Sequence, residues 1–464
     1  TAKRKMEAAF SIENQIAKVS YDQVKSRDPQ ANYHPMTWDQ FVKSYPGVDW
    51  NYLLKASGYP NNGGKVDVGQ PEPVHEVEKI LATAPLDALK AYMELAVISS
   101  SAGMLSDNFT DRNFEYKKVA YGVQQQQPRW KRALAFVQGI MGEAVGKLYV
   151  QKYFPESSKQ RMITLVKNLQ DAFAQRIEEN TWMTAVTKKK ALEKLQAFDI
   201  KIGYPDKWQN MDSVFVIDDN KSLIENVKAV QEAAMKYRIA KRWGKPVDKK
   251  EWHMTPQTVN AYYDPTTNSI NFPAAILQPP FFDPTVDDAA NYGAIGAVIG
   301  HEMSHGFDDQ GCQFDKDGNM KNWWTEEDKK NYDARTKVLV DWFNKQEVIP
   351  GLYVNGEKTL GENIGDNGGL NIAFRALQNS MKTKPLSDMD GFTPAQRFFL
   401  AWGRVWASNV APQFVAYIVN SDVHSPSISR VNAALPMIDN WYDAFNIKEG
   451  DKLFVPQQSR AHIW

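Results

Sequence analysis

One short stretch of the sequence, residues 301–305, brings together the side chains needed for metal-assisted hydrolysis: His301-Glu302-Met303-Ser304-His305. Residues four positions apart lie on one face of an α-helix, so His301 and His305 can bind the same metal ion. Glu302 lies beside them, where it could take a proton from water at that ion. Zinc suits two imidazole ligands and an open position. The alternative is a surface-exposed helix face on which both histidines contact carboxylates.

A third ligand is expected from the stretch 361–366, which contains Glu362 and Asp366. On a second helix these two acids lie on one face, one turn apart. Glu362 could bind the metal, and Asp366 could accept the second ring N–H of a ligating histidine. The alternative for Glu362 is a capping box with Thr359, three residues earlier.

Glycines are concentrated in the same two regions. They disfavour an isolated helix by about 1 kcal/mol each relative to alanine, so their number needs an explanation. A row of residues without side chains lets another backbone approach closely, and we expect two helices that share one metal ion. The glycines are Gly293, Gly296, Gly300, Gly361, Gly365, Gly368 and Gly369.

Three further polar residues are candidates for this site. Asp308 follows His305 by three residues and could orient it, although Asp308-Asp309 could instead be a solvated turn. His424 could stabilise an oxyanion. Arg430 could hold a peptide carbonyl with its fork of N–H donors. An ordinary surface role is the alternative for both.

The elements that must position these residues follow from the sequence pattern. Apolar spacing and capping signals predict a mostly helical first half and further helices in the second half. A hairpin of two short strands, 258–263 and 270–272, is predicted at a sheet edge around the turn residues 264–268. The stretch 91–105 is predicted to be a core helix. The other helices are predicted at 158–180, 184–198, 221–243, 289–306, 359–380 and 393–406.

Composition excludes several other classes of protein. The 464 residues include 55 basic and 55 acidic side chains, and this balance argues against a nucleic-acid partner. No uninterrupted apolar run reaches the 18 residues that a membrane-spanning helix requires. The single cysteine, Cys312, excludes an intramolecular disulfide and a cysteine-rich zinc site.

The motifs also match a known pattern as a set. They are residues 260–263, 272–282, 298–302, 305–309, 323–324, 361–370 and 422–426, with Arg430 and Trp464. This set resembles the neprilysin family of zinc endopeptidases, which includes the endothelin-converting enzymes and bacterial PepO-type oligopeptidases. Fainter similarity extends over nearly the whole chain. The animal members have abundant cysteines, and the single cysteine here resembles the bacterial members.

The resemblance implies a role for each candidate residue. It implies one zinc ion per chain and Glu302 as the general base. The implied zinc ligands are His301, His305 and Glu362. The implied supporting residues are Asp308 and Asp366, which orient the histidines, and His424, which stabilises the transition state. The residues implied to bind the substrate backbone are Asn260, Ala261 and Arg430. The pocket for the side chain after the scissile bond is implied to be Ile276, Phe281, Val298, Val405 and Trp406, with Ala297 making it roomier.

The resemblance also implies an architecture and a setting. We expect a mainly α fold with a smaller β component, in which a thermolysin-like zinc domain joins a helical domain that encloses a substrate chamber. We place the helical domain at 1–250 and the catalytic domain at 251–464. Family members begin well before Thr1, so an N-terminal portion is expected as a separate piece. The expected location is the bacterial periplasm, cell envelope or exterior, with the cytoplasm as the alternative.

The implied function is zinc-dependent cleavage of small and medium oligopeptides on the amino side of bulky hydrophobic residues. Two alternatives stay open. The same metal chemistry could serve a zinc amidase that acts on cell-wall peptides. A relative that kept the fold could bind peptides without cutting them.

Overall fold

The computed structural model describes residues 1–464. Its helices are, in chain order, α1 (Ala2–Val19), α2 (Gln23–Arg27), α3 (Trp38–Ser44), α4 (Trp50–Ala56), α5 (Pro71–Thr83), α6 (Leu86–Ser101), α7 (Asp107–Tyr121), α8 (Arg129–Tyr153), α9 (Glu156–Glu179), α10 (Ala185–Gln196), α11 (Leu223–Arg242), α12 (Asp288–Asn291), α13 (Ala297–His305), α14 (Glu326–Phe343), α15 (Leu360–Thr383), α16 (Pro394–Val405), α17 (Pro412–Ser421), α18 (Ser427–Asn432) and α19 (Asp439–Phe445). Its strands are β1 (Pro35–Thr37), β2 (Lys65–Asp67), β3 (Asp199–Gly203), β4 (Tyr262–Asp264), β5 (Ser269–Pro273), β6 (Glu347–Ile349) and β7 (Leu352–Tyr353).

The predicted mainly α fold with a smaller β component is confirmed. None of the helices is both long and apolar enough to cross a membrane. Helix α16 begins as expected, with a capping box between Thr393 and Gln396 and a proline in its first turn. The enclosed chamber stays a prediction.

The chain forms two compact units, and each is made from two separate segments. Unit 1 comprises Thr1–Gln126 and Gln209–Asp248, and unit 2 comprises Gln127–Trp208 and Lys249–Trp464. The last of these junctions, between Asp248 and Lys249, lies near residue 250, where the domain boundary stays a prediction. The division differs in one respect, because residues 127–208 cluster with the metal-site half of the chain and not with the other helices before residue 250.

Unit 1 has a small aromatic core around the antiparallel pair β1–β2. Trp38 and Phe41 on α3 pack with Tyr45, and their rings are 5.1 to 5.3 Å apart. Helix α6 packs on α1, but its side chains Met93 and Val97 are 61% and 59% exposed, so the prediction of a core helix here is wrong. The apolar residues on α6 are too evenly distributed around the helix for one buried face to take them all.

Unit 2 is held together by one continuous apolar core. Helix α9 contributes a stripe of fully buried side chains at helical spacing: Met162, Val166, Leu169, Phe173 and Ile177. Phe173 packs edge-on against Phe307, just beyond α13, and against Trp464, with ring centroids 5.2 and 5.7 Å apart. This packing explains why α9 belongs to unit 2.

Three strands form the sheet beside the predicted metal site, in the order β3-β5-β4. The predicted hairpin is present, because β4 pairs antiparallel with β5, although β4 is shorter than expected. No strand was predicted at β3, which follows the predicted helix 184–198 and pairs in parallel with β5. β5 is therefore central and fully buried, and β3 and β4 are the two edge strands of the sheet.

Helices α13 and α15 cross at closely approaching backbones. A Cβ on Gly300 would lie 2.9 Å from the Cα of Gly369, and a Cβ on Gly369 would lie 2.3 Å from the carbonyl oxygen of Ala297. The expectation that these glycines allow two backbones to approach is met here. Gly293 differs, because it lies against the backbone carbonyl of Phe398 on α16. It belongs to a π-helical turn, Tyr292–Gly296, that directly precedes α13.

Candidate metal centre

The two histidines of α13 and the glutamate of α15 meet at one point. The Nε2 atoms of His301 and His305 are 3.0 Å apart, with the rings nearly perpendicular. Glu362 Oε2 lies 3.2 Å from Nε2 of His301 and 3.6 Å from Nε2 of His305. The ligand atoms of the three residues all lie within 4.8 Å of one another. The structure thus brings the three predicted ligands together.

The second ring nitrogen of each histidine faces a carboxylate. Nδ1 of His301 is 2.9 Å from Oδ1 of Asp366, and Nδ1 of His305 is 2.7 Å from Oδ2 of Asp308. A carboxylate accepts a hydrogen bond, so each Nδ1 carries the proton and each Nε2 presents a lone pair. Asp308 is buried and also accepts the backbone N–H groups of Gln310 and Gly311, so the alternative of a solvated turn is wrong.

This donor set fits a zinc ion. The two imidazole Nε2 atoms face each other at 3.0 Å, and Glu362 Oε2 is buried without accepting a hydrogen bond. Three electron-rich atoms in such proximity repel one another unless a proton or a metal cation lies between them. Two nitrogens and one carboxylate oxygen are a ligand set that catalytic zinc uses, with the fourth position left open.

Charges at the site depend on one another. Burial works against the charged form of Glu362, but His305 and His424 outweigh it and hold the pKa of Glu362 well below its usual range. Burial likewise lowers the pKa of His305, but Glu362 and Asp308 more than reverse this, so its pKa is well above the ordinary value. Without a cation, the acids of the site therefore draw protons onto the imidazoles, and metal must displace these protons.

Glu302 follows His301 on α13 and is buried beside this cluster. Its carboxylate makes no hydrogen bond and no ion pair with the protein. Burial raises the pKa of Glu302 above the ordinary value, with His301 and His305 acting in the opposite direction. A carboxylate in this state can take up a proton and release it again.

His424 lies on the open side of the cluster. Its Nε2 is 3.1 Å from Glu362 Oε2, and its Nδ1 is 2.8 Å from Oδ1 of Asp422. Burial lowers its pKa, but Glu362 and Asp422 outweigh burial and raise the pKa of His424 to about 10. The side chain is 40% exposed, and both ring nitrogens face carboxylates in this structure.

Arg430 is buried and bonded within the protein, whereas its predicted role is to bind the substrate. Its Nε and Nη2 donate to the two oxygens of Asp366 at 2.9 and 2.6 Å, and its guanidinium lies 3.8 Å from the ring centre of Trp406. Two arms of the fork are thus used inside the protein. Most of the guanidinium is therefore engaged within the protein, and substrate binding by Arg430 stays a prediction.

A buried polar chain joins the His424 segment to α15, and the sequence pattern did not reveal it. Ser425 Oγ donates to Oδ1 of Asn363 at 2.8 Å, and Asn363 Nδ2 donates to Oγ1 of Thr359 at 2.9 Å. Thr359 in turn donates to the carbonyl of Asn355, and its side chain caps no helical N–H, so the capping-box alternative for Glu362 is wrong. An asparagine in the interior of a predicted helix was the available signal.

The predicted substrate-binding residues lie around the sheet and α13. Asn260 is exposed and Ala261 is buried, both directly before β4. Val298 lies on α13, and the carbonyl of Phe281 accepts a hydrogen bond from Ile295 in the π-helical turn. The remaining pocket candidates are Ile276, Val405 and Trp406, of which Ile276 is buried. Ala297 is fully buried at the helix crossing.

Comparisons with known proteins agree with this geometry. A family model described as "Peptidase family M13" matches residues 260–461, and a second model with the same description matches residues 1–205. The chain is 34% identical to a neutral endopeptidase of Lactobacillus helveticus over 98% of this chain and 68% of the relative. This chain belongs to peptidase family M13. The predicted resemblance to neprilysin-like metalloendopeptidases is confirmed.

Two further similarities extend the comparison. Human neprilysin is 32% identical over 99% of this chain, which spans 64% of that relative. The crystal structure of the Mycobacterium tuberculosis zinc metalloprotease Zmp1 with an inhibitor superimposes with a TM-score of 0.95 at 40% identity, over 99% of this chain and 70% of the other. The chain therefore spans about two thirds of the length of its M13 relatives.

Proposed function

We propose that this M13 chain is a zinc-dependent endopeptidase. It cleaves small and medium oligopeptides on the amino side of bulky hydrophobic residues. The observation that carries the proposal is the meeting of two imidazole Nε2 atoms and the Glu362 carboxylate beside the buried, unpaired carboxylate of Glu302. A purely structural ion would not need this fourth group.

His301, His305 and Glu362 would hold one zinc ion per chain. When bound, zinc supplies Lewis-acid chemistry, because it acidifies water and polarises a peptide carbonyl. Asp366 and Asp308 keep the two histidines in the tautomer that exposes Nε2. They hold the imidazole rings in place throughout the reaction.

Glu302 carries the proton in this mechanism. It takes a proton from the attacking water, whose oxygen forms a bond to the carbonyl carbon. It then gives that proton to the amide nitrogen as the C–N bond breaks. His424 would turn its Nε2–H, which faces Glu362 in this structure, to the carbonyl oxygen while that oxygen carries negative charge.

The sheet supplies a place for the peptide backbone. β4 is an edge strand, and an extended peptide can add to such an edge through main-chain hydrogen bonds. Asn260 and Ala261 lie at the start of this edge, and the exposed amide of Asn260 can bond to the backbone of any peptide sequence. Main-chain recognition explains how one site can accept many oligopeptides.

Replacing Glu302 tests the proposal directly. Glu302→Gln should retain zinc and lower kcat by about 10²-fold or more, because a general base is worth about 10²–10⁴-fold. Zinc content and the cleavage rate of a fluorogenic peptide are measured together. The matched control is Glu327→Gln, an exposed position in the first turn of α14, which should leave both unchanged. Near-normal turnover of Glu302→Gln would contradict the assigned role.

Cut sites in a mixed peptide library test the specificity. The pocket candidates are apolar, and each buried methylene contributes about 0.8 kcal/mol, so Phe or Leu should be strongly preferred over Ala directly after the cleaved bond. A peptidoglycan fragment is assayed beside the linear peptides. Cleavage of the fragment alone would favour the amidase alternative, and zinc binding without any cleavage would favour a non-catalytic relative.

A further inference from the structure

A buried lysine outside the predicted site is bonded to the loop that follows α13. Lys194 lies on α10 and is 1% exposed. Its Nζ lies 2.7 Å from each of three carbonyl oxygens, those of Gly306, Gly311 and Phe314. No carboxylate forms an ion pair with it. Three backbone acceptors at equal distance form a small cage around one nitrogen.

The cage requires the ammonium form of the side chain. A neutral amine has two N–H groups, whereas three acceptors at 2.7 Å require three donors. Burial lowers the pKa of Lys194 to about 7, and charge-assisted hydrogen bonds to the carbonyls favour the charged form. The rings of Tyr263, Phe307 and Trp323 lie 5.6 to 5.8 Å from Nζ and add cation–π attraction.

The loop held by Lys194 is the one that carries Asp308. Residues 306–314 fold back so tightly that a Cβ on Gly311 would lie 1.7 Å from the carbonyl oxygen of His305. Within this loop Asp308 accepts the backbone N–H groups of Gln310 and Gly311, while its other oxygen faces Nδ1 of His305. The N–H groups therefore turn toward Asp308, and the carbonyls turn toward Lys194.

We propose that Lys194 is a positioning residue for the metal centre. Its ammonium holds loop 306–314 in the one conformation that presents Asp308 to Nδ1 of His305. Without it, three buried carbonyls would lack partners and the loop would rearrange to reach water. The orientation of His305, and with it zinc retention, then depends on a side chain of α10. This inference rests on the proposed function where it concerns zinc.

Two variants of Lys194 test the proposal beside a matched control. Lys194→Met fills the same volume without a charge, and Lys194→Ala leaves a space that a small ammonium ion can enter. The control is Lys201→Met on β3, a buried lysine of the same unit whose Nζ donates to the carbonyl of Glu251 at 3.0 Å. Where the alanine variant fails to fold, the methionine variant is the one measured.

The first readout is the rate at which a colorimetric chelator removes zinc. We expect Lys194→Met to lose zinc about 10–100-fold faster than the wild-type chain, the range found when a group supporting a ligand is removed. Lys201→Met should release zinc at the wild-type rate. Ethylammonium should slow zinc release from Lys194→Ala, and the neutral analogue ethanol should not. Equal rates in Lys194→Met and wild type, or equal acceleration by both methionine variants, would overturn the proposal.

The second readout uses the metal-free chain and is independent of peptide hydrolysis. Imidazole ¹⁵N and ¹H spectra report the hydrogen bond that the Nδ1–H of His305 donates to Asp308. Lys194→Met should shift the His305 Nδ1–H signal, and Lys201→Met should leave it unchanged. An unshifted signal in a folded Lys194→Met chain would contradict the positioning role. If instead the wild-type chain neither retains zinc nor cuts peptides, the proposed function fails while this spectrum still reports on the link between Lys194 and His305.

Discussion

Asp366 serves two partners at once, and this sharing determines the charge balance of the centre. One oxygen faces Nδ1 of His301, and both oxygens accept from the guanidinium of Arg430. Burial opposes ionisation of Asp366, but Arg430 and His301 outweigh it and lower its pKa. A positively charged partner behind the carboxylate keeps Asp366 from drawing the proton away from His301.

At this scale we predict different outcomes for the two acids of α15. Glu362→Ala should abolish zinc retention during dialysis, because it removes a ligand. Asp366→Asn should keep zinc with an affinity weakened by about 10–100-fold, because it removes only the support of a ligand. Zinc content after dialysis against buffers of graded free zinc measures both. Full zinc occupancy in Glu362→Ala would show that this carboxylate is not a ligand.

The residues of the centre could largely be predicted from the sequence, because a helix fixes the relation of His301 to His305 and of Glu362 to Asp366. The bonds of Asn363 to Ser425 and of Lys194 to the loop carbonyls could not. These pairs are separated by 62 and more than 100 residues along the chain. No local spacing rule relates residues so far apart.

The crossing of α13 and α15 controls the distances inside the centre. Gly365 faces His301 so closely that a Cβ there would lie 2.6 Å from the ring Nδ1. Any side chain at this position would push the imidazole away from both Asp366 and Glu362. The glycines of α15 lower its helix propensity, but they allow the two helices to approach closely.

We predict that Gly365→Ala weakens zinc binding although alanine favours helices. The methyl group should displace His301 and destabilise the protein by about 1–3 kcal/mol, as overpacking does. The control is Gly403→Ala on α16, where the nearest atom to a new Cβ is 4.0 Å away, so stability should be unchanged or rise by up to about 1 kcal/mol. Thermal unfolding and chelator competition provide the two measurements. Wild-type zinc affinity in Gly365→Ala would contradict the crowding argument.

Most elements could be predicted from periodicity and caps, and the exceptions have physical causes. β3 has only five residues, and its pairing with β5 joins positions about 70 residues apart, so tertiary contact decides its conformation. The interruption before α13 lies where the backbone of Phe398 on α16 occupies the space beside Gly293. The helical spacing of a sequence carries no information about a neighbour from a distant segment.

At the scale of the whole molecule, unit 2 depends on a junction between its two sequence segments. Asp328 at the start of α14 is fully buried, and its oxygens accept from the backbone and hydroxyl of Thr184, directly before α10, at 2.8 and 2.6 Å. Thr325 donates to the same carboxylate. Burial alone would raise the pKa of Asp328, but these hydrogen bonds outweigh it and lower the pKa.

We predict that this junction makes stability depend on pH in the acid range. Since the pKa of Asp328 is lower in the folded chain, its contribution is complete above about pH 4, the ordinary aspartate value, and is lost as pH falls through the folded-state pKa. Asp328→Asn should destabilise the protein by about 1.5–3 kcal/mol at pH 7, the range for hydrogen bonds to charged groups. The difference in unfolding free energy between Asp328→Asn and the wild-type chain should become smaller below pH 4. Unfolding curves at pH 7 and pH 3.5, with exposed Asp171→Asn as the control, measure this. An equal loss of unfolding free energy in Asp328→Asn at both pH values would contradict the role given to the ionised Asp328.

The two-segment composition of unit 2 has a consequence for synthesis on the ribosome. The apolar stripe of α9 is complete once residue 179 has been made, but α13 and α15, against which it packs, come more than 100 residues later. At a synthesis rate of about 5–20 residues per second, on the order of 10 to 40 s pass before both helices have been made. During that interval five large apolar side chains have no native partner from the later segment. The nascent chain therefore exposes an aggregation-prone surface for a time set by translation speed. Chaperones that bind apolar helices can bind α9 during this interval.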